Sequence, residues 1–336
     1  MRILEFFISE EEAGCSVEAF LKKRLKFEKR QISRLKFRQG GMVLNGEQCR
    51  SKQKLQAGDC LQIRLDEEGK LRRSREVYSG TAAPEQAFPV HGEDESIAPE
   101  QVLKVLYEDE DVLAVYKPGG IAVHPSHGHG RDTLWNQVIS YQNERGECWT
   151  PRLIGRLDKD TSGIILLAKT TEAAAALAVQ REKKELKKIY YAEAEGLFSE
   201  SEGWIDRPME KDPAYLNRMR ISQTGMPART HYRLLQIKEE GDEEVSFLQL
   251  KSEGGRPQRI SSILELELEQ GRTHQIRLHL SSIGHPLVGD PIYNPTCKTS
   301  LLHLHAGKMQ WISPFTGETI TITAPLPEWL KGGIEI

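Results

Sequence analysis

The stretch Gly-Arg-Leu-Asp-Lys-Asp-Thr-Ser-Gly at residues 155–163 runs directly into an apolar segment at residues 164–168. Short apolar runs bounded by turn residues are typical of buried strands, so the sequence places Asp158 on a loop that leads into a central strand. Catalytic groups concentrate on loops that a rigid scaffold holds. A single Asp in a turn more commonly hydrogen-bonds its own backbone. Other motifs of the chain are therefore needed to choose between a catalytic and a structural role for Asp158.

Composition narrows the class of protein. The 336 residues suffice for two domains, and the content of 38% hydrophobic and 28% charged residues is typical of a soluble protein. No apolar run approaches the roughly 20 residues of a transmembrane helix, and the N-terminus shows no secretory pattern. The five cysteines have no C-x-x-C spacing. We therefore expect a cytoplasmic protein with reduced thiols and without a membrane segment, a disulfide framework or a zinc site.

The N-terminal region is strongly basic although the whole chain has a net charge of -3. Residues 20–54 contain twelve Lys or Arg and only two acids. Apolar residues at helical spacing after Ser16, a candidate N-cap, predict a helix, and a second short helix follows. The Asn45-Gly46 pair predicts a hairpin turn. Charges that recur on the exposed faces of these elements suit contact with phosphate groups. The basic residues expected to make such contacts are Lys22, Lys23, Lys26, Arg30 and Arg34.

Changes in composition suggest the domain boundaries. Residues 66–101 are rich in acids, Ser, Gly and Pro and lose apolar periodicity, which predicts a flexible linker. This linker would separate an N-terminal domain at residues 1–65 from a larger domain at residues 102–336. In the larger domain, alternating strands with few helices favour an α+β fold. Residues 238–259 are acidic and then Gly-rich, and we predict an inserted hairpin or loop there.

Two later segments carry polar residues on predicted regular elements. Tyr190 lies in a Lys-x-Tyr-x-Ala sequence on a predicted strand. Residues 271–280 read Gly-Arg-Thr-His-Gln-Ile-Arg-Leu-His-Leu, and the helical spacing of their apolar residues predicts a helix with Thr273 as its N-cap. A different face of this helix carries His274 and Arg277. The amphipathic pattern explains the apolar residues of this helix, but it does not explain why Arg277 should matter.

The three segments Arg-Leu-Asp-x-x-Thr-Ser-Gly, Lys-x-Tyr-x-Ala and Arg-x-His-Gln-Ile-Arg resemble, in this order, the motifs of the RluA-type pseudouridine synthases. The basic N-terminal region resembles the small ribosomal-protein-S-four-like RNA-binding domain. The resemblance covers nearly the whole chain. It implies an α+β catalytic domain with a mostly antiparallel mixed sheet, peripheral helices and a basic cleft, preceded by a small α+β RNA-binding domain. It also implies an RNA pseudouridine synthase, an isomerase that converts specific uridines in ribosomal or transfer RNA to pseudouridine.

The resemblance assigns roles to individual residues. Asp158 is expected to act at the anomeric carbon of a flipped-out uridine, as carboxylates do in glycosidases. Arg277 is expected to pair with Asp158 and hold it ionised and oriented. Tyr190 would stack on the uracil and help to remove the proton from the carbon that becomes attached, while Arg156 would fill the space left by the flipped base. Further RNA contacts are expected from Arg272 and His274. The reaction requires no cofactor, metal or protein partner, and we expect none.

Three alternatives use the same residues differently. A glycosidase needs a second acid, and sequence cannot measure the separation of Asp160 from Asp158. A catalytically silent RNA-binding or ribosome assembly factor would not need Asp158, Tyr190 and Arg277 together. A metal hydrolase would use a histidine-containing loop that offers no nearby Cys or Glu. The resemblance implies that this loop is a structural wall near the cleft, and we prefer that interpretation. The histidines of this loop are His124, His127 and His129.

Overall fold

The computed structural model describes residues 3–25, 27–65, 103–125, 132–239, 260–297, 299 and 301–331. Several sequence predictions lie outside these residues. They are the linker at residues 66–101, most of the insert at residues 238–259, and the side chains of Lys26, His127 and His129.

Residues 3–65 form a small α+β unit around a core of their own. Its elements are β1 (Ile3–Phe7), α1 (Val17–Arg24), α2 (Lys29–Phe37), β2 (Met42–Leu44), β3 (Glu47–Gln48) and β4 (Cys60–Arg64). The strands pair antiparallel in the order β1-β4-β2-β3. Ser16 caps α1 as predicted, since its hydroxyl accepts a hydrogen bond from Ala19 N at 3.2 Å. Asn45 and Gly46 both have positive φ, 52° and 88°, as the predicted hairpin turn requires.

The other described residues form a ten-stranded mixed sheet with helices packed against it. Its strands and the accompanying hairpin are β5 (Lys104–Glu108), β6 (Val112–Lys117), β7 (Arg152–Leu153), β8 (Ser162–Ala168), β9 (Lys187–Glu195), β10 (Glu202–Asp206), β11 (Met209–Lys211), β12 (Met219–Ile221), β13 (Arg229–Glu239), β14 (Ile260–Leu268), β15 (Leu304–Ile312) and β16 (Thr319–Thr323). The helices are α3 (Leu134–Glu144), α4 (Thr171–Glu182) and α5 (Gln275–Ser282), with a short 3-10 helix at Glu328–Leu330. None of the described helices is long and apolar enough to cross a membrane.

The sheet is mostly antiparallel. Its main path runs β10-β13-β14-β9-β15-β8-β6-β5, β7 pairs with β8, and β16 pairs with β15. Among the described strands, β15 and β8 form the parallel pair, in which His305 lies opposite Ser162. Strands β11 and β12 form a separate hairpin. The predicted α+β class and mostly antiparallel mixed sheet are confirmed.

Strand β8, which follows the Asp158 loop, is buried along its whole length. Ile165 and Leu167 face the core that α3 covers, whereas Ile164 and Leu166 face the core that α4 covers. A strand buried on both faces has a continuous apolar sequence and not an alternating one. This explains why the run after the polar stretch is uninterrupted, and it confirms the prediction of a central buried strand.

The parallel pairing of β8 with β15 depends on a glycine. Gly163 has φ of 116°, and a Cβ placed on it would lie 2.2 Å from the backbone oxygen of Ala306. We expect Gly163→Ala to lower the free energy of unfolding by more than the roughly 1–3 kcal/mol of backbone strain alone, because the strands must also separate. Gly146→Ala is the matched control, since Gly146 has φ of 66° but open space around it. Urea denaturation that gave equal losses for both variants would contradict the importance of this close approach.

Strands β13 and β14 lie on either side of the undescribed residues 240–259. Lys238 and Glu239, which the sequence placed in the inserted loop, are the last residues of β13 and pair with Ser261 and Ile260. Two residues that the sequence assigned to the inserted hairpin or loop therefore extend the antiparallel β13–β14 ladder.

An aromatic contact joins the N-terminal unit to the larger one. The rings of Phe27 and Phe315 meet edge to face with their centroids 6.4 Å apart. Phe27 is buried, and Phe315 lies in the turn between β15 and β16 and packs against the N-terminal core. The two units therefore touch near the carboxyl end of β15.

Candidate active site

A buried lysine fixes the loop that carries Asp158. The Nζ atom of Lys117, at the end of β6, donates hydrogen bonds of 2.7–2.9 Å to three backbone carbonyl oxygens, those of Pro118, Ile121 and Lys159. Burial lowers the pKa of Lys117 to about 7, against the opposing effect of Asp160 and Asp158. Three carbonyl acceptors require all three protons of an ammonium group, so the charged form is the one that holds the loop. Asp158 therefore projects from a backbone that is anchored on its buried side.

Asp158 lies among three basic side chains. Its Oδ1 atom is 3.9 Å from Arg156 Nη2, and its Oδ2 atom is 3.8 Å from both His274 Nε2 and Arg277 Nη1. The side chain of Asp158 is 15% exposed. At these separations none of the three side chains engages the carboxylate oxygens in a short hydrogen bond. The oxygens are thus partly shielded from solvent and open to a substrate atom.

Helix α5 begins later than the sequence suggested. Its first residue is Gln275, and His274 before it has φ of 55° and ψ of 21°, in the left-handed region. The prediction of Thr273 as N-cap was wrong. The N-cap is His274, which makes no side-chain capping hydrogen bond, while Gln275 Oε1 accepts a hydrogen bond from Arg272 N at 3.0 Å and ties the preceding loop to the first turn of the helix. The left-handed turn brings the His274 ring beside Asp158, and such backbone conformations cluster at functional sites.

The hydrogen-bonded partner of Arg277 is Asp290. Arg277 Nε and Nη2 donate to the two carboxylate oxygens of Asp290 at 2.8 and 2.7 Å, and both side chains are almost inaccessible, 2% and 0% exposed. Burial by itself would raise the pKa of Asp290, but the hydrogen bonds from Arg277 and from two backbone amides outweigh it and lower that pKa. Arg277 was expected to pair with Asp158, but the two side chains form only a 3.8 Å contact between Nη1 and Oδ2, which is too long for a hydrogen bond. The sequence analysis gave Asp290 no role.

Tyr190 projects from β9 into the same pocket as Asp158. Its side chain is largely buried, while Tyr191 points to the opposite face and packs against Ile263 and Leu330. Burial raises the pKa of the Tyr190 hydroxyl, and the negative charge of Asp158 acts in the same direction. Tyr190 is thus a protonated phenol whose ring is available for stacking.

Six of the predicted site residues line this one pocket. They are Arg156, Asp158, Tyr190, Arg272, His274 and Arg277. Among the described lining residues, Asp158 is the carboxylate, and no second acid accompanies it. Asp160 lines a neighbouring pocket next to Gly120 and Gly289. The pocket therefore lacks, in the part of the chain that the structure describes, the pair of acids that the glycosidase alternative requires.

The remaining predicted RNA-binding residues lie elsewhere. They are Lys22, Lys23, Arg30 and Arg34, all exposed on α1 and α2 of the N-terminal unit. None of them lines the pocket around Asp158. Lys22 donates a hydrogen bond to Glu18 at 2.6 Å, so its charge is partly compensated locally.

Of the three histidines in the histidine-containing loop, the structure describes His124. Its ring stacks on that of Trp135, with centroids 4.3 Å apart, and burial lowers its pKa. Within the described ranges, no group of three or more His, Cys, Asp or Glu side chains is placed to hold a metal ion.

Comparison with known proteins agrees with this geometry. The RNA pseudouridylate synthase family profile matches residues 111–282. The chain is 40% identical to a protein of Bacillus subtilis (strain 168) named uncharacterized RNA pseudouridine synthase YhcT, over 71% of this chain and 74% of that protein. It is 30% identical to a second protein of the same organism, named uncharacterized RNA pseudouridine synthase YlyB, over 100% of this chain and 98% of that protein. A third relative, from Pseudomonas aeruginosa, is named ribosomal large subunit pseudouridine synthase D, with 32% identity over 80% of this chain and 82% of that protein.

A solved structure shows the same fold. The human protein RNA Pseudouridylate Synthase Domain Containing 1 superposes with a TM-score of 0.53 at 23% identity, covering 68% of this chain and 85% of the human chain. This likeness shows the fold, and the family profile and the relatives decide the assignment. The chain belongs to the RNA pseudouridylate synthase family and is an isomerase that converts uridine in RNA to pseudouridine.

Proposed function

We propose that Asp158 is the catalytic carboxylate of this isomerase. The observation that carries the proposal is a single carboxylate, on an anchored loop, that faces a pocket with three basic groups within 3.9 Å. The reaction breaks the bond from the ribose anomeric carbon to the uracil nitrogen and rejoins the base through a ring carbon. An ionised carboxylate beside the anomeric carbon can attack it or stabilise its positive charge.

The other pocket residues would bind and position the nucleotide. Flipping a uridine out of its stack costs a few kcal/mol, and least in a loop or bulge. Tyr190 offers a ring on which the uracil stacks, and Arg277, fixed by Asp290, orients Asp158. Arg156 is 67% exposed at the mouth of the pocket and is placed to occupy the space left by the flipped base. Arg272 and His274 complete the basic wall.

The proposed substrate is large-subunit ribosomal RNA, with transfer RNA as the second choice. Its support is the name of the Pseudomonas aeruginosa relative. The proposed organisation is an RNA-binding domain at residues 1–65, a linker at residues 66–101 and a catalytic domain at residues 102–336. The proposed location is the cytoplasm, and the free cysteines of the chain suit its reducing conditions.

The substrate proposal is tested by tritium release. RNA labelled at C5 of uridine would be prepared from a strain that lacks this protein, and large-subunit ribosomal RNA and transfer RNA would be incubated separately with the full-length enzyme. Release from ribosomal RNA alone is the expected result. Release from transfer RNA alone would move the assignment to transfer RNA, and release from neither, with RNA binding retained, would favour the silent assembly factor.

The N-terminal unit is expected to contribute affinity through phosphate contacts. The double variant Arg30→Glu/Arg34→Glu removes two exposed charges one turn apart on α2. Because each phosphate contact contributes about one unit to the slope of log affinity against log salt, this slope should fall by about 2, while turnover on saturating RNA is unchanged. Filter binding over a range of salt concentrations measures the slope, and tritium release at saturating RNA measures turnover.

The matched control for this prediction is Arg181→Glu/Lys183→Glu, which makes the same charge change at the end of α4. A salt slope that fell equally in both double variants would assign the effect to total charge. An unchanged slope in the α2 variant would remove α2 from the RNA-binding surface.

A further inference from the structure

Lys188 lies two residues before Tyr190 on β9, so the two side chains share one face of the strand. Its Nζ atom lies over the Tyr190 ring, 5.4 Å from the ring centroid. The lysine is half-buried, and no hydrogen bond or ion pair with another described residue holds its amine. An amine is thus placed at the ring on which the uracil would stack, and no hydrogen bond or ion pair with a described residue explains its position.

The environment of this amine favours its neutral form. Burial lowers the pKa of Lys188 to about 7, and the positive charge of Lys117 acts in the same direction. The opposite holds for its neighbour, because burial raises the pKa of the Tyr190 hydroxyl. At neutral pH the amine therefore has a free lone pair in a substantial fraction of molecules, whereas the tyrosine retains its proton.

The last chemical step of the reaction requires a base at one particular atom. Once the new bond joins C5 of the uracil to the ribose, C5 still carries its hydrogen. When a base takes this proton, the electrons of the C5–H bond form the C5–C6 double bond. The electrons of the C6–N1 double bond then move to N1, which takes up a proton from solvent. The protonated base returns its own proton to solvent, so the step balances without any co-reactant.

We propose that Lys188 is a catalytic residue whose amine removes the C5 proton from the uracil stacked on Tyr190. The inference rests on the proposed pocket for the flipped uridine. Lys188 is not among the residues that line the pocket, so contact with the substrate requires its flexible side chain to rotate. A ring stacked on Tyr190 lies about 3.5–4 Å above it, and Nζ, 5.4 Å from the Tyr190 centroid, reaches the edge of such a ring by this rotation. Tyr190 then serves as the stacking surface, and the proton transfer first assigned to it belongs to the lysine.

Two substitutions separate a base from a simple cationic contact. Lys188→Ala removes the amine, and Lys188→Arg keeps a positive charge that does not dissociate near neutral pH. We expect both to lower kcat by roughly 10²–10⁴-fold with little change in KM. Lys187→Ala is the matched control, because Lys187 is exposed and its side chain points to the other face of β9. It should retain wild-type kcat.

Two further readouts do not depend on how well a variant folds. Ethylamine in the buffer should restore turnover to Lys188→Ala but not to Asp158→Asn. RNA carrying deuterium at C5 should react more slowly than unlabelled RNA with Lys188→Ala, and by a larger ratio than with the wild type, because proton removal becomes the slow step.

Near-wild-type turnover by Lys188→Arg would overturn the proposal in favour of a charge contact with RNA. Wild-type turnover by Lys188→Ala, with no increase in the isotope effect, would also overturn it. Neither result affects the assignment of Asp158, whose own variant tests it separately. The Asp158 assignment would fail on a different result, which is turnover by Asp158→Asn. The Lys188 variants are compared with an active wild type, so the two failures are distinguishable.

Discussion

Asp158→Asn is expected to abolish pseudouridine formation, with a loss of about 10³-fold or more in the single-turnover rate. Asparagine has nearly the same shape but cannot supply the negative charge that the anomeric carbon requires. The measurement is tritium release from C5-labelled RNA under conditions in which the enzyme is in excess. A rate near that of the wild type would reject Asp158 as the catalytic carboxylate.

The loss should not come from unfolding. Asp158 contacts its three basic neighbours only at 3.8–3.9 Å, and Arg277 keeps its two hydrogen bonds to Asp290 when Asp158 is replaced. Partly exposed ion pairs of this kind are worth about 1 kcal/mol or less. The Tm of Asp158→Asn should therefore stay within a few degrees of the wild type, and its affinity for RNA should be retained. A large fall in Tm would indicate that Asp158 also has a structural role.

Asp290→Ala is expected to have the largest effect on stability. It leaves the guanidinium of Arg277 buried without the carboxylate that accepts two of its hydrogen bonds, and breaking such a pair costs about 3–5 kcal/mol. It also removes the acceptor for the backbone amides of Ile292 and Tyr293. Urea denaturation should show a midpoint far below that of the wild type, with turnover lost in parallel because Arg277 no longer has a fixed position.

A double variant separates the buried charge from the packing. Arg277→Met/Asp290→Leu replaces both members of the pair with apolar side chains, and such replacements are often neutral or stabilising. Its stability should exceed that of Asp290→Ala, while its turnover stays low because Asp158 has lost a basic neighbour. An Asp290→Ala protein within about 1 kcal/mol of the wild type would show that the Arg277 charge reaches solvent once its partner is removed.

The sequence predicted those features of the fold and the site that depend on residues close together in the chain. The polar stretch before a continuous apolar run placed Asp158 on a loop entering a buried strand, because burial on both faces of β8 leaves a direct trace in the sequence. The Ser16 cap and the Asn45-Gly46 turn followed from the same kind of rule. Tyr190 and Arg277 were placed beside Asp158 by resemblance to a family, and the structure brings them into its pocket.

The errors arose where distant residues compete with local preference. Thr273 is a good N-cap by type, but the N-cap of α5 is the left-handed His274, beside Asp158. Arg277 was paired with Asp158 because both belonged to recognised motifs, and Asp290, thirteen residues after Arg277, was given no role. A buried arginine requires a buried acceptor, and a search for that acceptor would have pointed to Asp290.

The parallel pairing of β15 with β8 has a consequence for the folding of the newly synthesised chain. Ser162 on β8 and its hydrogen-bond partner His305 on β15 are 143 positions apart, so the strand beside the Asp158 loop finds its neighbour only after most of the chain has left the ribosome. At about 5–20 residues per second, this delay is roughly 7–30 s. A nascent chain that already contains Asp158, Tyr190 and Arg277 still lacks β15, the strand that lies between β9 and β8 in the sheet, and we expect it to be inactive until β15 has been synthesised.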